Sequence, residues 1–508
     1  MSPQMPMPPE VGAAVGAPPE TESMRTVAVQ ADWPALFWAL VVMVCLTPLP
    51  LGSIYPWSWG LLASGVGVLL ALWSIRVARG LQDVSVGVAS VWFLVVPFFS
   101  VAAWVAIQSS SITPASWHHP LWSSAAESLG EDVVGSISLN PYLSLSHLAR
   151  LLSYGGVFWL SLQLCRKSQR ARQVLFAICV AAFVCAVLGL VAYAFGFGAI
   201  LWIDMPIDER VLTGTFGSAD SFAAYAALGL LCVTAVVQIT FSQRLQAIFG
   251  AMTREAFTAG DDGRVRRAKP SLFSTEVWRR LAASVSWTDR WLILAWVCVL
   301  AAAVATHSRV GLGSLAIALL ALVLVFALSR SLRRGGASTV AAAIVLFLGA
   351  AFLAGGGRLE KIFLDIDADA ERQRVYDLTV SAIQDAPVLG TGYGTFEEVF
   401  RFYRTSDVDG YYAMAHSTYL ESVLELGLPA TLMLFAVFAG LFYLTIYGIR
   451  SRGRDGIYPC VGFAATILIA LHAAADFSLQ VPAVAATYAM IMGAACAQCW
   501  STRHGTEV

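Results

Sequence analysis

Apolar residues along this chain gather into runs of about 18 to 22, the length at which a helix rising 1.5 Å per residue crosses a hydrocarbon core of ~30 Å. Such runs begin near Ala35, Trp57, Val88, Leu148, Val174, Ser221, Trp291, Gly311, Thr339, Ser417, Tyr458 and Val481, and polar or turn-rich sequence follows each one. The pattern predicts an all-α integral membrane protein of about twelve transmembrane helices, with a large, partly helical extracytoplasmic loop before helix 10. On this reading residues 1–32 are a disordered cytoplasmic tail, 33–356 carry helices 1–9 with a cytoplasmic loop at 242–290, and 357–416 form the extracytoplasmic loop. Residues 417–500 carry helices 10–12, and 501–508 are a second cytoplasmic tail.

Composition strengthens the membrane reading. Of 508 residues, 58% are hydrophobic and 13% charged, against roughly 45–50% and 25% in an ordinary soluble domain. A net charge of -1 carries no sign of nucleic-acid binding. Residues 1–30 hold Arg25 as their one basic residue and lack a short apolar core with a cleavage site, which reads as a flexible tail and not a signal peptide. The nine cysteines lie in or beside apolar runs, where they act as small hydrophobes, so neither a disulfide framework nor a metal site at Cys496 and Cys499 is expected.

Charge then sets orientation. If the N-terminal tail is cytoplasmic, every return to that side meets a Lys/Arg cluster: Arg76 and Arg79, then Arg166 to Arg172, residues 244–290, Arg330 to Arg334, and Arg450 to Arg454. This is the positive-inside pattern, and it puts both termini in the cytoplasm. Nine basic residues oppose the bias: Arg150, Arg210, Arg309, Arg358, Lys361, Arg372, Arg374, Arg401 and Arg404. For Arg401 and Arg404 a solvated face balanced by nearby acids suffices, whereas clustered arginines at an interface suit anions such as phosphate.

Arg210, Arg309 and Arg372 lie on three separate outer segments, with His416 at the top of the next apolar run. Guanidiniums form bidentate pairs with phosphate, and a histidine near its ordinary pKa accepts a proton from a hydroxyl. Such a set can stabilise a lipid diphosphate leaving group without a metal. The structural alternatives are helix capping for His416, an interfacial snorkelling role for Arg309, pairing with Glu371 or Asp377 for Arg372, and a turn position for Asp476. Asp365, Asp367 and Asp369 form an acidic alternation whose sixth position is Ala370, where a calcium loop needs Gly, so a solvated acidic face is expected.

The stretch HSTYLESVLELGLPA at 416–430 resembles the His-Asn/Ser-x-Tyr-Leu signature of the O-antigen ligase and O-antigen polymerase family. Arg372 and Tyr376, then Pro387, Leu389, Gly390, Gly392, Gly394 and Phe396, resemble its Arg-x-x-x-Trp and Pro-x-x-Gly-x-Gly-x-Gly-x-Phe segments. Ser308-Arg309 with Gly311, Arg210 with Gly214-Thr215-Phe216-Gly217, and His472, Asp476, Phe477, Gln480 and Pro482 resemble three more of its segments. Two positions depart: Ser218-Ala219-Asp220 stands where the family has Asn-Pro-Asn, with Asp220 still able to cap the next helix, and Tyr376 replaces Trp.

The resemblance implies a bacterial inner-membrane glycosyltransferase, metal-independent, without a cofactor and inverting, that moves a glycan from undecaprenyl diphosphate onto an acceptor hydroxyl on the extracytoplasmic face. His416 would be catalytic; Arg210, Arg309, Arg372 and Asp476 would bind substrate. The acceptor is lipid A core for a ligase, a growing polysaccharide for a polymerase, or a protein serine for an oligosaccharyltransferase, and other polysaccharide-assembly proteins are expected partners beside membrane lipids. The alternative from helix count alone is a transporter or lipid flippase, which the gathering of unusual residues at the outer face, and not at midplane, disfavours.

Overall fold

The computed structural model describes residues 33–197, 199–200, 203–204, 211–258, 275–328, 366–406, 408, 410–452 and 456–500, with the backbone alone at 199–200, 203–204, 255–258, 278, 327–328 and 366–369. The described chain is helical apart from a two-residue ladder, β1 (Ala199–Ile200) against antiparallel β2 (Ile203–Asp204). Its helices are α1 (Pro34–Leu46), α2 (Pro56–Ala78), α3 (Trp92–Gln108), α4 (Pro120–Leu129), α5 (Pro141–Leu164), α6 (Ser168–Phe195), α7 (Ala219–Thr258) and α8 (Thr275–Ala283). There follow α9 (Trp287–Ala305), α10 (Arg309–Leu328), α11 (Ile366–Asp385), α12 (Phe396–Tyr403), α13 (Thr418–Leu426), α14 (Leu428–Ser451), α15 (Ile457–Ala473) and α16 (Pro482–Ala497).

Among the described residues seven helices are long and apolar enough to cross a membrane, and α1, α15 and α16 are shorter apolar helices. The chain is a multi-pass membrane protein. The apolar run expected from Thr339 lies outside the described residues, as do Arg210, Arg358, Lys361 and Asp365.

Burial orders the bundle. In α7, 94% of the apolar window is buried, against 22% in α2, so α7 is the central helix and α2 a peripheral one. Helices α6, α9, α10 and α15 pack around α7, while α5 pairs with α16 and α3 with α14. Small residues permit close approach: a Cβ on Gly229 of α7 would come within 2.4 Å of the Ala182 Cβ of α6. On α2 and α9, Leu61, Val68, Ile293 and Val297 stay exposed, as a helix bordering lipid requires.

The segment before α13 has a core of its own. Val375 and Ala382 of α11, Phe396, Val399 and Phe400 of α12, and Ala415 and Leu424 form a second buried cluster apart from the main one. The helical stretch read at 370–384 is α11, one turn longer at its start. Arg401 is exposed and pairs with Glu397 one turn back, the solvated face expected of it.

The apolar run from Ser417 is not one helix. It breaks at Gly427, φ 75°, and Pro429 opens α14 in the first helical turn. The break leaves the last carbonyls of α13 without intrahelical partners, a cost that must be met within the protein. Thr391 N–H donates to Leu424 O (3.0 Å), Gly392 N–H to Glu425 O (3.0 Å) and Trp104 Nε1 to Leu426 O (2.8 Å). Gln108 Nε2 reaches both Glu425 O (2.9 Å) and Leu389 O (2.7 Å). The glycine-rich loop delivers the Thr391 and Gly392 donors, and α3 the other two. Gly390 sits at φ 70° with Glu425 O 2.3 Å from where a Cβ would stand, so only glycine lets the loop close on the break.

Candidate functional site

Four chain ends meet at one end of the bundle: the start of α7, the start of α10, the segment leading into α13, and the turn between α15 and α16. Asp476, in that last turn, is the fixed point. Its side chain is fully buried; Oδ2 accepts from Ser478 N–H at 2.9 Å and from the Ser478 hydroxyl. His472 Nε2, one turn earlier, lies 3.4 Å from Oδ2, and His416 Nδ1 lies 3.8 Å from Oδ1. The His416 separation exceeds hydrogen-bond length, and Asp476 Oδ1 and His416 Nδ1 have no hydrogen-bond partner among the described residues. Burial alone pushes the Asp476 carboxyl up; the two imidazoles and the Ser478 hydroxyl outweigh it and hold the group well below the usual carboxylate range.

His416 is held from several sides. It adopts φ 52°, a left-handed conformation that a non-glycine residue keeps only when its surroundings impose it. The Tyr376 hydroxyl of α11 donates to the His416 carbonyl at 2.9 Å, and the ring packs edge-on against Phe477 with centroids 5.3 Å apart. Thr418, two residues on, donates its hydroxyl to Asp476 O at 2.9 Å, locking the α13 start to the α15–α16 turn. The His416 side chain keeps 27% of its surface exposed while Asp476 and His472 are sealed, so the imidazole is the solvent-facing member of the trio.

Beneath His416, Glu421 is buried and accepts from Ala415 N–H at 3.2 Å. Burial pushes its carboxyl up to about 7, with the Asp476 charge adding to the rise and hydrogen bonds from Gln480 and Ala415 opposing it. Glu425, deeper still, accepts from Phe396 N–H at 3.0 Å and braces α12.

Arg372 does not pair with its neighbours. Glu371 instead takes Gly410 N–H at 3.4 Å and Asp377 takes Gln373 at 3.0 Å, leaving Arg372 Nη2 4.0 Å from Asp220 Oδ2 in the first turn of α7. Asp220 is not that helix's cap: Ser218 supplies the hydroxyl, accepting from Ser221 N–H at 3.4 Å. The carboxylate is thereby available to the arginine. Arg309 opens α10, where the Ser308 hydroxyl caps the helix by accepting from Gly311 N–H at 2.9 Å. Gly311 comes so close to α7 that a Cβ there would lie 2.5 Å from the Ala223 Cβ, setting the Arg309 turn beside the Asp220 turn. Five residues further along α10, about 7.5 Å by helical rise, the Ser314 hydroxyl meets His472 Nδ1 at 3.3 Å. Arg210 lies outside the described residues; the chain resumes beside the end of α9, where Leu212 N–H donates to Ala305 O at 3.1 Å.

His416, Asp476 and the segments that carry Arg309 and Arg372 are therefore gathered at one end of the bundle, and Asp476, although it lies in a turn, is fully buried beside both histidines. His472 and Ser478 belong to the same cluster but were not singled out as site residues. The spacing of His472 and Asp476, four apart across a helix end, carried the signal. Among the described residues no cluster of His, Cys, Asp and Glu could hold a metal ion.

Fold and site together define a multi-pass membrane protein with a semi-exposed histidine over a buried aspartate, flanked by arginines. Residues 294–436, a segment that contains Arg309, Arg372 and His416, match the family model described as O-Antigen ligase. No curated protein matches the chain. A match to this family implies a glycosyltransferase-type membrane enzyme with polysaccharide and lipid-linked substrates.

Proposed function

We propose that this enzyme transfers a glycan from undecaprenyl diphosphate to an acceptor hydroxyl on the extracytoplasmic face of a bacterial inner membrane, without a metal and with inversion. The observation that carries the reading is the pairing of half-exposed His416 with fully buried Asp476. With Asp476 ionised beneath it, His416 carries its proton on Nδ1 and presents Nε2 as an acceptor toward the open side. The acceptor hydroxyl loses its proton to Nε2 as its oxygen bonds to the anomeric carbon. The bond from that carbon to the diphosphate oxygen breaks, and the electron pair leaves on the phosphate. Separations such as 3.8 Å between His416 and Asp476 commonly tighten once substrate is bound.

Arg210, Arg309 and Arg372 hold the diphosphate in this scheme and offset the charge that develops on it; a guanidinium fork matches phosphate oxygens two at a time. Asp220 orients Arg372, and at 4.0 Å it is loose enough to release the guanidinium to a competing phosphate. Among acceptors, a saccharide is favoured over a protein serine, as ligase or as polymerase.

The test is reconstitution in proteoliposomes with an undecaprenyl-diphosphate glycan and a saccharide acceptor. The expected result is a glycan of inverted anomeric configuration on the acceptor and free undecaprenyl diphosphate. Movement of the lipid across the bilayer without transfer would overturn the reading in favour of a flippase.

A further inference from the structure

Arg150 lies nine residues, or about 14 Å, along α5 from Pro141, and the site above does not use it. It borders a partly open cavity of about 740 Å³ between α3, α5, α14, α15 and α16, lined mostly by apolar side chains; Glu425 also lines it, and burial pushes its carboxyl well above the ordinary glutamate value. On α5 the lining runs from His147 through Leu151 to Phe158, eleven residues or about 16 Å along the bundle axis. Leu94 and Phe98 face it from α3, Val91 from the turn just before that helix, and Tyr488 and Met492 from α16. The void is thus a slot parallel to the helices, the direction of a lipid chain, with one cation at the end nearer the His416 site.

That end is set for an anion. The Arg150 guanidinium stacks on Trp59 at 4.7 Å and has His147 Nε2 3.5 Å from Nη1, but it forms no ion pair with any carboxylate among the described residues. Its Nε and the Tyr154 hydroxyl, one turn away on the same face, are buried without hydrogen-bond partners among the described residues. A partly buried guanidinium without an ion pair, in a mostly apolar cavity, is costly, and an anion between it and the hydroxyl offsets that cost. One guanidinium and one hydroxyl match the single negative charge of a phosphodiester and leave a diphosphate under-neutralised.

We propose that this slot is a binding site for an anionic glycerophospholipid of the surrounding leaflet, with one acyl chain along α3, α5 and α16 and its phosphodiester on Arg150 and Tyr154. The site is distinct from the His416 centre and does not depend on the reaction assigned there. It adjoins that centre, because Thr418, Tyr419 and Gln480 line it from the turns that carry His416 and Asp476.

Native mass spectrometry of the purified protein, exchanged into micelles with equimolar phosphatidylglycerol and phosphatidylcholine, tests this. One phosphatidylglycerol should remain bound, enriched several-fold over phosphatidylcholine. Arg150→Met should bring the ratio to that of the micelle, Arg150→Lys should keep part of the preference, and Tyr154→Phe should weaken it. Equal retention of the two lipids by the unaltered protein, retention of neither, or a retained polyprenyl diphosphate in their place would each overturn the proposal, whatever the variants do.

Discussion

Single residues at this site are set by what buries them. Glu421 and Asp476 are both buried carboxyls, but Asp476 has two imidazoles and a hydroxyl within reach and Glu421 has only a backbone N–H and Gln480, so burial raises one and its partners lower the other. The raised Glu421 has a consequence for stability. Between the ordinary glutamate value near ~4.3 and the folded value of about 7, the folded state binds a proton that the unfolded state has released, so stability falls as pH rises through this window. Glu421→Gln keeps the acceptor for Ala415 N–H and removes the titration. Its thermal midpoint should match that of the unaltered protein at about pH 4 and exceed it at about pH 8. A difference that does not change with pH would contradict the assignment. The sequence announced His416 by its motif, but Asp476 in a short stretch between apolar runs looks the same whether it caps a turn or anchors two histidines. Only the packing of α10 and α13 against that turn distinguishes the two, and both are remote in sequence.

At the scale of elements, the break between α13 and α14 organises the site. Its signals were present, since Gly427, Leu428 and Pro429 place a glycine just past one helix and a proline just inside the next. The continuous apolarity on both sides hid them. What sequence could not supply was the destination of the freed carbonyls: Thr391, Gly392, Gln108 and Trp104 come from two distant segments. Gly390→Ala tests how far this loop holds the break. Gly196 has a similar φ of 65° but open space around its Cβ, so alanine there meets only the left-handed penalty of about 1–2 kcal/mol. At Gly390 the Cβ would also press on Glu425 O. The thermal midpoint should drop clearly further for Gly390→Ala than for Gly196→Ala; equal drops would show that the loop does not bear on the break.

For the whole molecule, charge and apolarity predicted more than any motif did. The apolar runs that fall on described residues are helical, and seven helices are long and apolar enough to cross a membrane. Burial of α7 at the centre was not legible, because its run is scarcely more apolar than that of peripheral α2 and its position follows from small residues such as Gly229 meeting Ala182. Orientation rests on the Lys/Arg clusters alone. A cysteine introduced at Ser406 should label from outside intact spheroplasts and one at Ser271 should not; the reverse pattern would invert the molecule and with it the face on which transfer is proposed.

The central claim is that His416 takes the acceptor's proton. Guanidiniums stay protonated, so the arginines cannot serve, and Glu421 lies about one turn deeper and sealed from solvent. The most direct measurement is the single-turnover rate of His416→Ala in proteoliposomes, with donor binding and thermal midpoint recorded on the same preparation. The account predicts a rate lower by roughly 10²- to 10⁴-fold with donor binding retained. A well-folded His416→Ala that turns over at a near-normal rate from about pH 5 to pH 9 would contradict it.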